Sequence, residues 1–286
     1  METIFIQIAS YRDPELISTI DSCINNALYP NNLKFCICWQ RDNKENLNKY
    51  INDPRFIILD IPYKYSKGVC WARNMIQQYY NGEEYTLQLD SHHRFVEHWD
   101  DILIKTLSIL QLKGYKKPLI TAYLPSYNPS NDPEERVMIP WKIIFDKITE
   151  DDSILTKPEY ITNWKELNTE VIPAKFYSAH FCFTLGLFCK EVQHDPELYF
   201  TGEEINIGAR AYTHGYDMFH PNFIVAWHEY TRNNRVKQWD DNKDWWKLDN
   251  ISKQKNRDFF KNKISNKYNI GNIRTLTSYI KFSGIM

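Results

Sequence analysis

Residues 4–14 read Ile4-Phe5-Ile6-Gln7-Ile8-Ala9-Ser10-Tyr11-Arg12-Asp13-Pro14. The first six form a short apolar run rich in β-branched residues, which suits a buried strand. Ser10 to Pro14 then break it. Asp13 is a natural helix N-cap, and Pro14 suits the first helical position. Leu16, Ile20, Ile24, Ala27 and Leu28 follow at helical spacing, and Tyr29-Pro30-Asn31-Asn32 ends the helix. The same strand–loop–helix pattern continues. Leu33–Trp39, Phe56–Leu59, Tyr85–Leu89 and Leu119–Tyr123 read as strands. Gly68 opens a helical stretch to Tyr80. Trp99, Ile102, Leu103, Leu107 and Leu110 mark another helix face. Alternating strands and helices predict an α/β fold with a mostly parallel central sheet flanked by helices. Ligands of such sheets sit at the carboxyl ends of the strands. That places Ala9, Ser10, Tyr11, Arg12, Gln40 and Asp90 on the functional edge.

The rest of the chain is less regular. Residues 126–175 accumulate Pro, Asn, Asp and Glu and read as a lid-like or acceptor-side insertion. Strand signals return at Ala179–Phe183 and Ile224–Trp227, with a helix over Ile205–Tyr212 between them. Residues 232–286 carry thirteen Lys or Arg against five Asp, a net of +8. The division expected is a catalytic domain over 1–231 and a basic, Trp-containing helical extension over 232–286, packed on the same domain. The extension suits either a solvated helical face or contact with an acceptor or anionic surface.

Composition narrows the function. The 286 residues hold 35 basic and 36 acidic side chains, so a whole-chain grip on nucleic acid is not expected. Mean hydropathy is −0.56, and no segment reaches 18 apolar residues, so no transmembrane segment is expected. The start of the chain lacks the basic and long apolar regions of a signal peptide. The six cysteines form no CxxC pair and no zinc-finger spacing. Reduced, buried thiols and a cytoplasmic location are the expectation.

Leu87-Gln88-Leu89-Asp90-Ser91-His92 carries the main chemical clue. On an extended segment Asp90 and His92 point the same way and can bind one cation together. A carboxylate–imidazole pair suits Mn²⁺ or a similar first-row ion better than Ca²⁺. Two ligands suffice where a substrate diphosphate shares the ion. The same D-x-H pattern also suits a simple loop cap. Gly68 permits close backbone approach, and Arg73 suits phosphate or a carboxylate such as Asp90. No P-loop and no G-x-G-x-x-G occurs. Glu203 and Glu204 follow Gly202 at a helix start; they suit dipole-matched capping or, facing a cleft, work on sugar hydroxyls. His228 follows a strand and by itself suits a structural role as well as ligation. His93 and His98 read as structural.

These segments together resemble the GT-A fold GlcNAc-transferases, a family that includes cytoplasmic enzymes placing α-GlcNAc on a hydroxyproline of a ubiquitin-ligase adaptor. The resemblance rests on an ordered set: residues 4–16, Gly68–Arg73, Leu87–His92, Arg94-Phe95, Trp99-Asp100, Asp195-Pro196, Phe200–Glu204, Arg274–Leu276 and Phe282–Ile285. More distantly the chain is similar to polypeptide GalNAc-transferases. The resemblance implies a Rossmann-like GT-A domain and a retaining transferase that uses Mn²⁺ (or Mg²⁺) and a UDP-sugar, most simply UDP-GlcNAc. The acceptor implied is a hydroxyl of a protein or glycan. By the same similarity His228 becomes the third metal ligand beside Asp90 and His92. Ala9, Ser10, Tyr11, Arg12, Gln40, Gly68, Arg73 and Asp90 become donor-binding residues. Glu203 matches a Glu of the family motif, whereas Glu204 stands where Asn is usual. The competing expectations are a catalytically silent nucleotide- or carbohydrate-binding protein and a nucleotide-sugar hydrolase.

Overall fold

The structure is a computed structural model that describes residues 2–42, 44, 46–167, 171–232, 235–261, 263 and 266–285. In chain order the elements are β1 (Ile4–Tyr11), α1 (Leu16–Asn25), β2 (Leu33–Arg41), α2 (Asn48–Ile51), β3 (Phe56–Pro62), α3 (Val69–Gln77), β4 (Tyr85–Leu89), β5 (His93–Phe95), α4 (Trp99–Leu112) and β6 (Pro118–Thr121). Then come β7 (Trp141–Ile148), β8 (Ile154–Tyr160), β9 (Val171–Pro173), β10 (Phe181–Leu185), α5 (Phe188–Glu191), α6 (Glu203–Thr213), β11 (Asp217–Pro221) and β12 (Ala226–His228). The chain ends with α7 (Gln238–Asp241), α8 (Trp245–Phe260) and α9 (Leu276–Ser283).

Eight strands form the central sheet in the order β3-β2-β1-β4-β10-β6-β11-β9. β1 to β4 run parallel, β10 is inverted between β4 and β6, and β9 runs antiparallel at the edge. The fold is therefore α/β with a mostly parallel sheet, as the alternation predicts. Side chains of β1 alternate between the faces. Ile4, Ile6 and Ile8 meet α1 and α4 through Leu16, Ile20, Leu103 and Leu107. Phe5 meets α3 on the other face, with Ala72 and Ile76. Covering both faces stabilises the fold by about 25 cal/mol for each Å² of apolar surface removed from water. The register aligns Tyr11 with Gln40 and Ile8 with Leu89, so β1, β2 and β4 end side by side.

Several boundaries differ from the sequence expectation. β2 and β3 run on to Arg41 and Pro62, because their parallel pairing continues past Trp39 and Leu59. α3 stops at Gln77 rather than Tyr80. β6 stops at Thr121, and Tyr123 turns to bond Glu204 instead. The later strands are shifted to Phe181–Leu185 and Ala226–His228. Asp13 is not the N-cap of α1. The helix begins at Leu16, and although Asp13 Oδ1 accepts from Glu15 N–H at 2.9 Å, its other oxygen serves the cleft.

Residues 126–175 hold the β7–β8 hairpin, with Trp141 opposite Tyr160, and then β9 at the edge of the main sheet. Part of the basic C-terminal segment pairs with acids of the body. Lys253 pairs with Asp151 at 2.8 Å, Lys255 with Asp195 at 2.7 Å and Arg274 with Asp217 at 2.7 Å. Tyr279 and Phe259 are buried in the second core. All six cysteines are buried and free, and burial pushes the Cys38 thiol up to about 12. Among the described residues no helix is long and apolar enough to cross a membrane.

Candidate active site

The cleft lies over the ends of β1, β2 and β4. Asp90 follows β4, and His92 precedes β5. β12 pairs antiparallel with β5 and sets His228 opposite His93, while Glu229 N–H donates to the His92 carbonyl at 3.2 Å. This small ribbon carries His228 across the sequence to Asp90. Asp90 Oδ2 stands 3.7 Å from His92 Nε2 and 3.5 Å from His228 Nε2. One ligand atom from each residue lies within 4.8 Å of the others. A first-row cation binds N and O at about 2.0–2.2 Å, so ligand pairs about 3–4 Å apart suit a single ion.

The chemistry of the three donors fits such an ion. Asp13 Oδ2 lies 2.7 Å from His92 Nδ1 and accepts from Ser91 Oγ at 2.7 Å. The carboxylate favours a proton on Nδ1 and the Arg235 guanidinium a lone pair there; with the proton on Nδ1, the Nε2 lone pair faces Asp90. Metal-binding histidines are commonly oriented by a carboxylate in this way. Arg235 also contacts Asp13 at 3.2 Å and Glu229 at 3.3 Å, and it meets His92 Nδ1. Burial pushes the Asp13 carboxyl up, but His92 and Arg235 outweigh it and hold it low. His228 is buried, and neither of its ring nitrogens makes a hydrogen bond. Leaving a buried polar atom unpaired costs about 1–3 kcal/mol, and of the two nitrogens of a neutral imidazole one carries hydrogen while the other offers a single lone pair. His180 stacks on His228 at 4.1 Å, and Tyr230 meets it edge-on at 4.3 Å. Burial pushes the His228, His180 and His93 imidazoles well below their ordinary value, which keeps them neutral. Asp90 is pushed up by burial, but His228, Arg73 and His92 outweigh this and hold it well below the usual carboxylate range.

Arg73 backs the site from α3. Its NH2 donates to Asp90 Oδ1 at 2.6 Å, and its NH1 donates to Glu203 Oε1. Gly68, just before α3, has φ of 107°, and a Cβ there would stand 2.7 Å from the Tyr199 ring. Glu203 and Glu204 open α6 after Gly202, at φ 86°. Glu204 accepts from Ala179 N–H at 2.8 Å and from the Tyr123 hydroxyl at 2.5 Å. Burial raises its carboxyl to about 7. A second cavity of about 350 Å³ is lined by Arg73, Asp90, Tyr123, Glu203, Glu204 and Tyr230. It adjoins the first cleft, of about 160 Å³, through Asp90 and His228.

The structure brings most of the expected site residues together. Ala9, Tyr11, Gln40, Gly68, Asp90, His92 and His228 line the first cleft. Arg73, Glu203 and Glu204 line the second cavity. Two expected donor-binding residues are not part of either wall. Ser10 is buried under the floor, where its carbonyl accepts from Gln40 Nε2 at 3.1 Å. Arg12, in a left-handed conformation at φ 46°, turns to Asp42 and Asp241. Sequence reasoning missed Asp13, His180, Tyr123 and Arg235. Asp13 had a signal, its place at a strand's carboxyl end, but its spacing from Pro14 pointed to a cap. The others come from distant segments and carry no local pattern.

The sequence profile described as Glycosyltransferase (GlcNAc) matches residues 3–54 and 50–286. The chain belongs to that GlcNAc glycosyltransferase family. Against curated protein sequences it has no match. Among solved structures it resembles GalNAc-T7, crystallised with UDP, GalNAc and Mn²⁺, at 14% identity and a TM-score of 0.61. The match covers 99% of this chain and 55% of that one, so this chain spans about half the length of GalNAc-T7. It also resembles residues 1–349 of S. aureus TarS in complex with UDP-GlcNAc, at 11% identity and a TM-score of 0.50, covering 86% of this chain and 64% of that one. At these identities the likeness establishes the GT-A fold of this family member.

Proposed function

We propose that this glycosyltransferase moves GlcNAc from UDP-GlcNAc to a hydroxyl of a protein or glycan acceptor, with retention of anomeric configuration and with a divalent cation, Mn²⁺ first. The observation that carries this is the convergence of Asp90, His92 and His228 at the carboxyl ends of β1 and β4, with His92 oriented by Asp13. Those three residues would hold the ion. When bound, the ion supplies Lewis-acid neutralisation of charge on the departing UDP. Ala9, Tyr11 and Gln40 form the wall that would take the nucleotide. Arg73 fixes the Asp90 carboxylate, and Asp13 keeps the His92 lone pair pointed into the cleft. Glu203 and Glu204 border the cavity that would take the sugar, beside Asp90. Glu203 is engaged by Arg73, which suits positioning of donor or acceptor better than nucleophilic attack. The acceptor hydroxyl then attacks from the face the UDP leaves, and the departing phosphate takes its proton.

The GalNAc-T7 complex with UDP, GalNAc and Mn²⁺ and the TarS complex with UDP-GlcNAc support this reading at the level of fold. The test is UDP release from a panel of UDP- and GDP-sugars, with Mn²⁺ or with EDTA. Release from UDP-GlcNAc above the other donors, lost in EDTA, is the expected result. Release of free sugar at a rate that no acceptor changes would favour the hydrolase. No UDP binding in the presence of Mn²⁺ would defeat the transferase reading.

A further inference from the structure

Behind Arg73, on the side away from the first cleft, lies a second cluster of metal-ligand types. Cys70, His194 and Glu203 each offer an atom within 4.8 Å of the others, and all three are buried. Yet Arg73 NH1 already donates to Glu203 Oε1, which puts a fixed cation among them. The hydrogen bonds of His194 point to a different role.

His194 is clamped on every side. Its N–H donates to Gln77 Oε1 at 2.8 Å, and its carbonyl accepts from Asn74 Nδ2 at 2.7 Å. Its ring Nε2 lies 2.7 Å from Gln88 Oε1. The Gln88 amide is oriented in turn, because its Nε2 donates to the Ala179 carbonyl at 2.7 Å. Gln88 Oε1 only accepts, so His194 Nε2 carries hydrogen. Nδ1 then stands 2.9 Å from Glu203 Oε1. Two lone pairs facing each other at that distance repel. Nδ1 has no hydrogen-bond partner as it stands, and a proton between the two, held against the burial that lowers the imidazole, would turn the contact into a charge-assisted hydrogen bond.

We propose that His194 is a positioning residue for sugar transfer: a proton held between His194 Nδ1 and Glu203 locks the Arg73 guanidinium onto Asp90. The effect on the reacting groups is indirect. It runs from Gln88 through His194 and Glu203 to Arg73, and so to the carboxylate at the head of the cleft. This inference rests on the transferase reading and deepens it.

The test compares His194→Leu with His194→Asn. Asn can place an N–H donor near the position of the ring's Nδ1, whereas Leu fills space without one. Loss of a hydrogen bond to a charged group predicts a kcat about 10- to 100-fold lower in His194→Leu, with KM for UDP-GlcNAc within about 3-fold of wild type. His194→Asn should recover to within about 5-fold of wild-type kcat. A packing role predicts the opposite order, and Asn no better than Leu would overturn the proposal. Full activity in His194→Leu would do the same. A readout independent of turnover and of variant folding is the ring spectrum of the wild-type protein, labelled with ¹⁵N in histidine. The proposal expects a downfield ring proton from the His194–Glu203 contact, identified by its loss in His194→Asn. Its absence from the wild-type spectrum would overturn the contact. Wild-type protein without UDP release but with this resonance would instead break the transferase reading.

Discussion

Two clusters of histidine and acid flank Arg73, and they differ in how they open to the cleft. On the cleft side, Asp90, His92 and His228 converge, Asp90 is 28% exposed, and the His228 nitrogens make no hydrogen bond. On the interior side, Cys70, His194 and Glu203 are as close together and all buried, with Glu203 alone reaching the second cavity, and Arg73 sits on Glu203. Proximity is the same in both, and each combines a carboxylate with at least one histidine. Arg73 ties into both, through Asp90 at 2.6 Å and through Glu203, and each holds a ring nitrogen without a hydrogen bond, so the difference is the first cluster's opening to a cleft. On the proposed reading, metal binding would follow from access to the cleft more than from a count of histidines and acids.

The largest expected effect removes the open cluster. Asp90→Ala and His228→Ala should each lower Mn²⁺-dependent UDP release by at least about 1,000-fold, since each removes a ligand of the ion that would neutralise the leaving group. Their circular dichroism and thermal midpoints should stay near wild type. Full activity in either variant would remove that residue from the site. Next, Asp13→Asn should weaken Mn²⁺ affinity by about 10- to 100-fold, the usual cost of losing a residue that orients a metal ligand. Fluorescence or calorimetric titration reads this directly, and an unchanged affinity would return Asp13 to a purely structural role.

How much of this was legible in the sequence follows the same divide. The parallel β1–β4 portion was readable because apolar runs, Gly68 and the loop around Pro14 are local signals. Asp90 and His92 were readable because two residues on one extended segment share a direction. His228 gained its partner only through the β5–β12 pairing, which is long-range and has no local signature. His180 and Tyr123 are silent for that reason too. Asp13 shows the opposite error, since a correct local signal for a helix start hid a long-range bond to His92. Arg94 and Asp100 belong to the family-like segments, yet Asp100 spends both oxygens on the Leu28 and Tyr29 N–H groups and Arg94 ties Glu15 to Asp132. Such residues hold the loops behind the site and do not face the cleft.

Smaller effects sharpen the comparison. Glu204→Gln tests the acid that no cation neutralises. Burial raises the Glu204 carboxyl to about 7 from its ordinary 4.5, so between those values the unfolded chain releases a proton that the folded chain keeps. Wild-type stability therefore falls as pH rises through that window and levels off above it. Glu204→Gln cannot titrate, and it should gain on the order of 3 kcal/mol relative to wild type at pH 8 but little at pH 4.5. Thermal or urea melts at the two pH values check this, and an equal difference at both would contradict the raised carboxyl. Smallest of all, Cys70→Ala should leave Mn²⁺ affinity within about 2-fold and kcat within about 3-fold of wild type, because a buried cluster whose Glu203 is already paired with Arg73 does not take the ion. A large loss of metal affinity there would reverse the roles assigned to the two clusters.

The most direct test of the central claim is Mn²⁺ binding in the presence of UDP, followed by electron paramagnetic resonance, in wild type and His228→Ala. The predicted result is one tightly bound Mn²⁺ per wild-type chain and loss of that bound signal in His228→Ala. An identical bound signal in both proteins, or none in wild type, would contradict the assignment of Asp90, His92 and His228 as the metal centre.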